Sequence, residues 1–212
     1  MGFHAHFPSA MSAWRHAVIW CAALALAACG DAPKLARLAP DAAVLAFGDS
    51  LTYGTGAAES ESYPAQLEQL IGRKVVRAGV PGEVSAQALA RLPEALEEHQ
   101  PKLVVLCIGG NDFLRNLGQA QVAANVRAMI RLAKDKGADV LLLGTPEKGL
   151  LMAPPKFYAE IAGELRIPYE GKVIGEILRD SSLKSDPIHP NARGYRLMAA
   201  RIAAVLKKSG AI

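Results

Sequence analysis

Three short stretches of the chain carry side chains that together could perform acyl transfer. Gly48-Asp49-Ser50-Leu51-Thr52 and Gly109-Gly110-Asn111-Asp112 each follow an apolar run, and Asp186-Pro187-Ile188-His189-Pro190-Asn191 precedes the last amphipathic segment. A serine hydroxyl is a weak nucleophile until a base takes its proton. The base needs a carboxylate to fix its tautomer, and the oxyanion that develops on the attacked carbonyl needs aimed N–H donors. Of the five histidines, His4, His6 and His16 fall in an amino-terminal segment with the marks of a cleaved signal, which leaves His99 and His189. His99, in Glu97-Glu98-His99-Gln100-Pro101, reads as a solvated helix end at the wrong side of the strand that follows. His189 is therefore the candidate base. Pro187 and Pro190 stiffen its turn, and a residue before proline avoids the helical region, so His189 should be held extended above the last helix. Asp186, three residues earlier, can reach the ring nitrogen that faces away from Ser50. Asp49 adjoins the serine and reaches that nitrogen poorly, and Asp112 suits the plainer role of accepting backbone N–H groups, so Asp186 is preferred over both.

These residues need a scaffold that brings them to one rim. Residues 44–47, 74–77, 103–108 and 140–143 are short apolar runs of the kind found in strands buried on both faces. Helical patterns lie between and after them, at about 62–72, 85–99, 120–136, 155–165 and, more weakly, 171–180. The final helix, about 191–208, is the clearest: Asn191 can cap it, and Tyr195, Met198, Ile202 and Val205 recur as its buried stripe. Strands that alternate with helices give a doubly wound parallel sheet, and ligands of such sheets sit beyond the carboxyl ends of the strands. The glycine-rich turns, Ser50, Asn111 and the Asp186–His189 segment all fall at that end. A second glycine-rich turn, Ala78-Gly79-Val80-Pro81-Gly82-Glu83, follows the second strand.

The sequence resembles the GDSL or SGNH hydrolases on four motifs in order: Gly48-Asp49-Ser50-Leu51, Gly82, Gly109-Gly110-Asn111-Asp112 and Asp186-Pro187-Ile188-His189. The likeness runs from about Leu45 to Ile202 and is greatest to the bacterial thioesterase I, lysophospholipase and arylesterase group. It implies an α/β fold, a three-layer α/β/α flavodoxin-like sheet of about five parallel strands. It also implies Ser50 as nucleophile, His189 as general base and then acid, and Asp186 as its orienter. The oxyanion hole would be the N–H groups of Ser50 and Gly82 with the Asn111 amide, Gly79 being the alternative to Gly82. The activity implied is hydrolysis of small acyl esters such as aryl esters or lysophospholipids, and of thioesters, with no cofactor. A carbohydrate O-acetylesterase uses the same set, and a non-catalytic lipoprotein could keep the fold as a binding module.

Residues 1–28 contain no Asp or Glu, and the uncharged run Ala17 to Ala28 is too short to span a membrane but suits the core of a signal peptide. Met11 is an alternative start. Leu26-Ala27-Ala28-Cys29 resembles the bacterial lipobox, which makes Cys29 the expected lipidated residue; a secreted form cut after Ala28 is the alternative. Gly30 after the cysteine favours the outer membrane of the bacterial envelope. Residues 29–42 then read as a tether and 43–212 as the hydrolase domain.

The remaining composition narrows the field. The formal charge is +4, from 24 Lys and Arg against 20 Asp and Glu, with no basic stripe, so nucleic acid is not an expected partner. Cysteines 21, 29 and 107 form no disulfide framework or metal knuckle, no His/Cys/Glu cluster points to a metal, and Cys107 reads as a core thiol. Ser50 lacks the second glycine of the Gly-x-Ser-x-Gly elbow, which excludes an ordinary α/β-hydrolase. Residues 145–155 depart most from the pattern of the thioesterase I, lysophospholipase and arylesterase group; Leu150, Leu151 and Met152 there could line an acyl groove or pack onto the sheet edge. A chain of this length has no room for a large lid, so a shallow, open site is expected.

Overall fold

The computed structural model describes residues 1, 2, 4, 33–147 and 152–212. The expected lipidation site Cys29 and nearly all of the expected signal peptide lie outside the described residues, as do Leu150 and Leu151. The chain divides into two compact units, Met1–Ala32 and Pro33–Ile212, and the second carries the fold.

Five parallel strands are present among the described residues: β1 (Val44–Gly48), β2 (Val75–Gly79), β3 (Leu103–Cys107), β4 (Asp139–Leu143) and β5 (Tyr169–Glu170). They pair in the order β2-β1-β3-β4-β5, the flavodoxin-like arrangement. Parallel neighbours require crossovers, and these are α2 (Tyr63–Ile71), α3 (Ser85–His99), α5 (Gln119–Asp135) and α6 (Phe157–Leu165); α1 (Ser50–Tyr53) and α4 (Gly110–Leu114) are short helices at strand ends, and α7 (Val173–Arg179) and α8 (Ala192–Lys208) close the chain.

The two-residue period of a strand divides its side chains between two cores. Val44, Ala46, Val105, Cys107, Leu141 and Leu143 pack with Tyr63 and Leu67 of α2, Ile174 and Ile177 of α7, and Tyr195, Met198, Ile202 and Leu206 of α8. Leu45, Phe47, Val104, Leu106, Val140 and Leu142 pack on the opposite face with α3, α5 and α6. Three layers result, and the apolar runs read from sequence are the strands covered on both faces. Cys107 is a buried core thiol, as expected.

Two departures have physical causes. β5 has only two residues, too few for a periodicity to register. The expected tether is not wholly detached from the domain: Leu35 and Leu38 donate their N–H groups to the Ser209 and Ala211 carbonyls, the Ala36 N–H bonds Asp139, and Leu38 is buried in the α8 core. The apolar side chain of Leu38 draws residues 35–42 onto the domain, so the domain begins before residue 43.

Candidate active site

Ser50 stands at the carboxyl end of β1 as the first residue of α1, capped by the Asp49 carboxylate, whose Oδ1 accepts the Leu51 N–H at 3.1 Å. Gly48 permits this turn to lie against β3, because a Cβ there would fall 1.9 Å from the Cys107 carbonyl oxygen. A serine at a helix start presents its own N–H among the unpaired donors of the first turn.

Asp186 and His189 lie on the loop before α8. The loop is fixed by a bridge between Lys184 and Pro190, by the Ser185 N–H to the His189 carbonyl at 3.0 Å, and by Asn191. Asn191 caps α8 as expected, accepting from the Arg193 and Gly194 N–H groups, while its amide donates to the Ser182 and Lys184 carbonyls. Gly56, at φ +99°, lets the loop after α1 approach closely, since a Cβ there would meet Ser185 Oγ at 2.0 Å. The Tyr195 hydroxyl donates to the Thr55 carbonyl at 2.8 Å and ties α8 to the same loop.

Across this junction His189 Nε2 lies 3.0 Å from Ser50 Oγ, and His189 Nδ1 lies 2.7 Å from Asp186 Oδ2. A carboxylate at Nδ1 fixes the proton there and leaves Nε2 to accept the serine proton. Partial burial pushes the Asp186 carboxyl up, but the bonds from His189, Ile188 N–H and His189 N–H outweigh it and hold it below the usual carboxylate range. Asp186 therefore stays anionic near neutrality, able to stabilise an imidazolium. Its side chain is 43% exposed against 15% for His189, so the relay is open to solvent at the Asp186 end.

The other candidates separate cleanly. Asp112 is buried and accepts the Ser85 N–H at 2.8 Å and the Ser85 hydroxyl at 2.6 Å, the structural role expected of it, although its partners come from α3. Asp49 is buried, and desolvation, reinforced by Glu83 and Asp112 and opposed by the Leu51 N–H, pushes its carboxyl up to about 7. His99 lies on the far rim beside the 36–43 segment.

The glycine choice is informed by geometry. A Cβ on Gly79 would lie 2.1 Å from the Tyr53 nitrogen, so Gly79 serves the packing of α1 on β2; Gly82, at φ +78°, stands in an open turn. The Ser50 and Gly82 N–H groups have no hydrogen-bond partner among the described residues. The Asn111 amide donates one hydrogen to the Glu83 carbonyl at 3.0 Å, and among the described residues its other partner, Asp49 Oδ2, is 3.4 Å away. A pocket beside Ser50 is lined by Leu51, Phe113, Leu114, Pro146, Met152, Ile174, Leu178 and Ile188. Met152 reaches it as expected, and half of the apolar residues named come from α4 (Phe113, Leu114) and α7 (Ile174, Leu178), segments whose sequence carries no sign of that role. No cluster able to hold a metal occurs among the described residues.

Ser50, His189 and Asp186 are thus hydrogen-bonded in series at one rim of a parallel five-stranded sheet. The chain belongs to the GDSL-like lipase/acylhydrolase family, whose model matches residues 46–197. It is 33% identical to the esterase TesA of Pseudomonas aeruginosa over 181 residues, 79% of this chain and 89% of that one. It is 31% identical to the thioesterase 1/protease 1/lysophospholipase L1 of Escherichia coli over 179 residues, 81% of this chain and 86% of that one. A crystal structure of TesA superposes with a TM-score of 0.70 at 29% identity, covering 78% of this chain and 98% of that one.

Proposed function

We propose that the protein hydrolyses acyl esters through an acyl-enzyme formed on Ser50. His189 Nε2 takes the Ser50 proton as Oγ attacks the carbonyl carbon, and the imidazolium, held by Asp186, then gives that proton to the leaving oxygen. Water attacks the acyl-enzyme by the same route in reverse, releasing the acid and restoring Ser50. The N–H groups of Ser50 and Gly82 receive the oxyanion together with the Asn111 amide hydrogen that otherwise makes the long 3.4 Å contact to Asp49 Oδ2. The observation that carries this reading is the unbroken relay from Ser50 Oγ through His189 to Asp186, at 3.0 and 2.7 Å.

The apolar pocket supports substrates with a medium acyl chain, aryl esters and lysophospholipids among them, and thioesters by the same chemistry. Each methylene it covers contributes about 0.8 kcal/mol, roughly four-fold in kcat/KM. A sugar-bound acetyl group would leave that wall unused, which favours the acyl-chain reading over the O-acetylesterase. Hydrolysis of p-nitrophenyl esters from acetate to laurate by the wild type and by Ser50→Ala tests the proposal. The wild type should peak at a chain longer than acetate, and the folded variant should lose nearly all turnover; retained turnover in the variant would remove Ser50 from the mechanism.

We further propose that Cys29 carries the lipid anchor at the bacterial envelope, on the strength of the Leu26-Ala27-Ala28-Cys29 sequence. Mass spectrometry of the mature amino-terminal peptide is the test: a diacylglyceryl cysteine is expected, and an unmodified terminus would contradict it.

A further inference from the structure

The ion pair between Glu83 and Arg91 lies directly behind the proposed oxyanion hole. It is bidentate, with Arg91 Nε 2.8 Å from Oε1 and a terminal nitrogen 2.7 Å from Oε2. Glu83 is 6% exposed and Arg91 26%. The guanidinium stacks on Phe47 of β1, 4.1 Å from the ring centroid, and reaches the carbonyls of Gly48 and Ala78 at 3.4 and 3.3 Å. One cation thus spans the carboxyl ends of β1, which delivers Ser50, and β2, which delivers the turn holding Gly82.

The backbone of Glu83 completes the connection. Its N–H bonds the Val80 carbonyl at 3.2 Å and closes the turn around Gly82, and its carbonyl accepts one Asn111 amide hydrogen at 3.0 Å. A primary amide is planar, so fixing one N–H fixes the direction of the other. The second Asn111 hydrogen, which makes only a long 3.4 Å contact to Asp49 Oδ2, and the adjacent Gly82 N–H both take their positions from Glu83. Buried ion pairs rarely add net stability over an apolar replacement, because desolvation offsets attraction. Their contribution here is geometric.

We propose that Glu83 and Arg91 are positioning residues that set the aim of the Asn111 and Gly82 donors at the oxyanion on Ser50-bound substrate. The inference rests on the reading of Asn111 and Gly82 given above and adds what holds them in place. Neither residue touches substrate; both act through the turn.

The test is a double-mutant cycle on the full chain, with kcat, KM, melting temperature and the inhibition constant of an alkyl boronic acid, which forms a tetrahedral adduct with an active-site serine. Glu83→Gln keeps the size and removes the charge, and Arg91→Lys keeps the charge and removes the fork. Each should lower kcat per folded molecule by about ten-fold or more with KM within about two-fold, and weaken the boronic acid by a similar factor, at a temperature well below the lowered melting point that a broken buried pair brings. In an Asn111→Ala background, Glu83→Gln should cost less than about three-fold, because much of what it aims is already gone. Normal kcat in Glu83→Gln, or an undiminished loss in the Asn111→Ala background, would overturn the proposal. Should Glu83→Gln not fold, Arg91→Lys carries the same comparison. If Asn111→Ala itself turned over normally, the oxyanion assignment would fail first, and this inference with it.

Discussion

Asp186 holds His189 by two donors at once: Oδ2 takes the ring nitrogen Nδ1 at 2.7 Å, and Oδ1 takes the backbone N–H of the same residue at 2.9 Å. The first contact sets the tautomer and the second sets the position from which the ring projects toward Ser50. A carboxamide retains an acceptor for the backbone N–H but can offer the ring a donor where the carboxylate accepted. Asp186→Asn should therefore lower kcat by about 10³- to 10⁴-fold with little change in melting temperature, the pattern of a wrong tautomer. A loss below about ten-fold would mean that His189 is oriented by something else.

The pocket wall on α7 makes a separate prediction. Ile174 is buried and Leu178 half-buried, and both border the pocket beside Ser50. Filling it with Leu178→Trp should reduce kcat/KM on octanoate and decanoate esters by about ten-fold or more, the worth of two methylenes or so, while sparing acetate. Equal losses on all chain lengths would place the acyl group elsewhere.

Asp49 makes stability depend on pH in the opposite sense to a salt-bridged carboxylate. Burial raises its native pKa to about 7 from 3.8, so between those values the unfolded chain ionises while the native carboxyl stays neutral. Wild type should lose stability relative to Asp49→Asn as pH rises from about 4 to about 7, by on the order of 4 kcal/mol, and the gap should level off above that. Asparagine keeps an acceptor for the Leu51 N–H. Urea unfolding of both proteins across this range checks it, and a difference independent of pH would show Asp49 to be ionised in the native state.

Much of this site was legible because its parts are local. Apolar runs of four to six residues marked β1, β3 and β4, since strands covered on both faces leave no polar alternation to confuse the pattern. Ser50, Asn111, Asp186 and His189 each sit in a short segment whose residue types announce chemistry, and the structure brings Ser50, Asp186 and His189 into one relay with Asn111 beside them. What depends on distant segments meeting was not legible. Gly56 looks like any loop glycine until the histidine loop arrives against it, and Arg91 looks like a surface residue of α3 until Phe47 and Glu83 are found beside it. Leu38 read as part of a tether because nothing local says that an apolar side chain has a socket near α8.

On this mechanism Ser50 is the residue acylated during turnover. Peptide mapping by mass spectrometry after treatment with a p-nitrophenyl alkylphosphonate, which phosphonylates an activated serine and releases nitrophenol, tests it most directly. One adduct per chain is expected, on the peptide containing Ser50, formed in step with the loss of esterase activity and absent when His189 is replaced by alanine. Inactivation with the adduct on another residue, or with Ser50 unmodified, would contradict it.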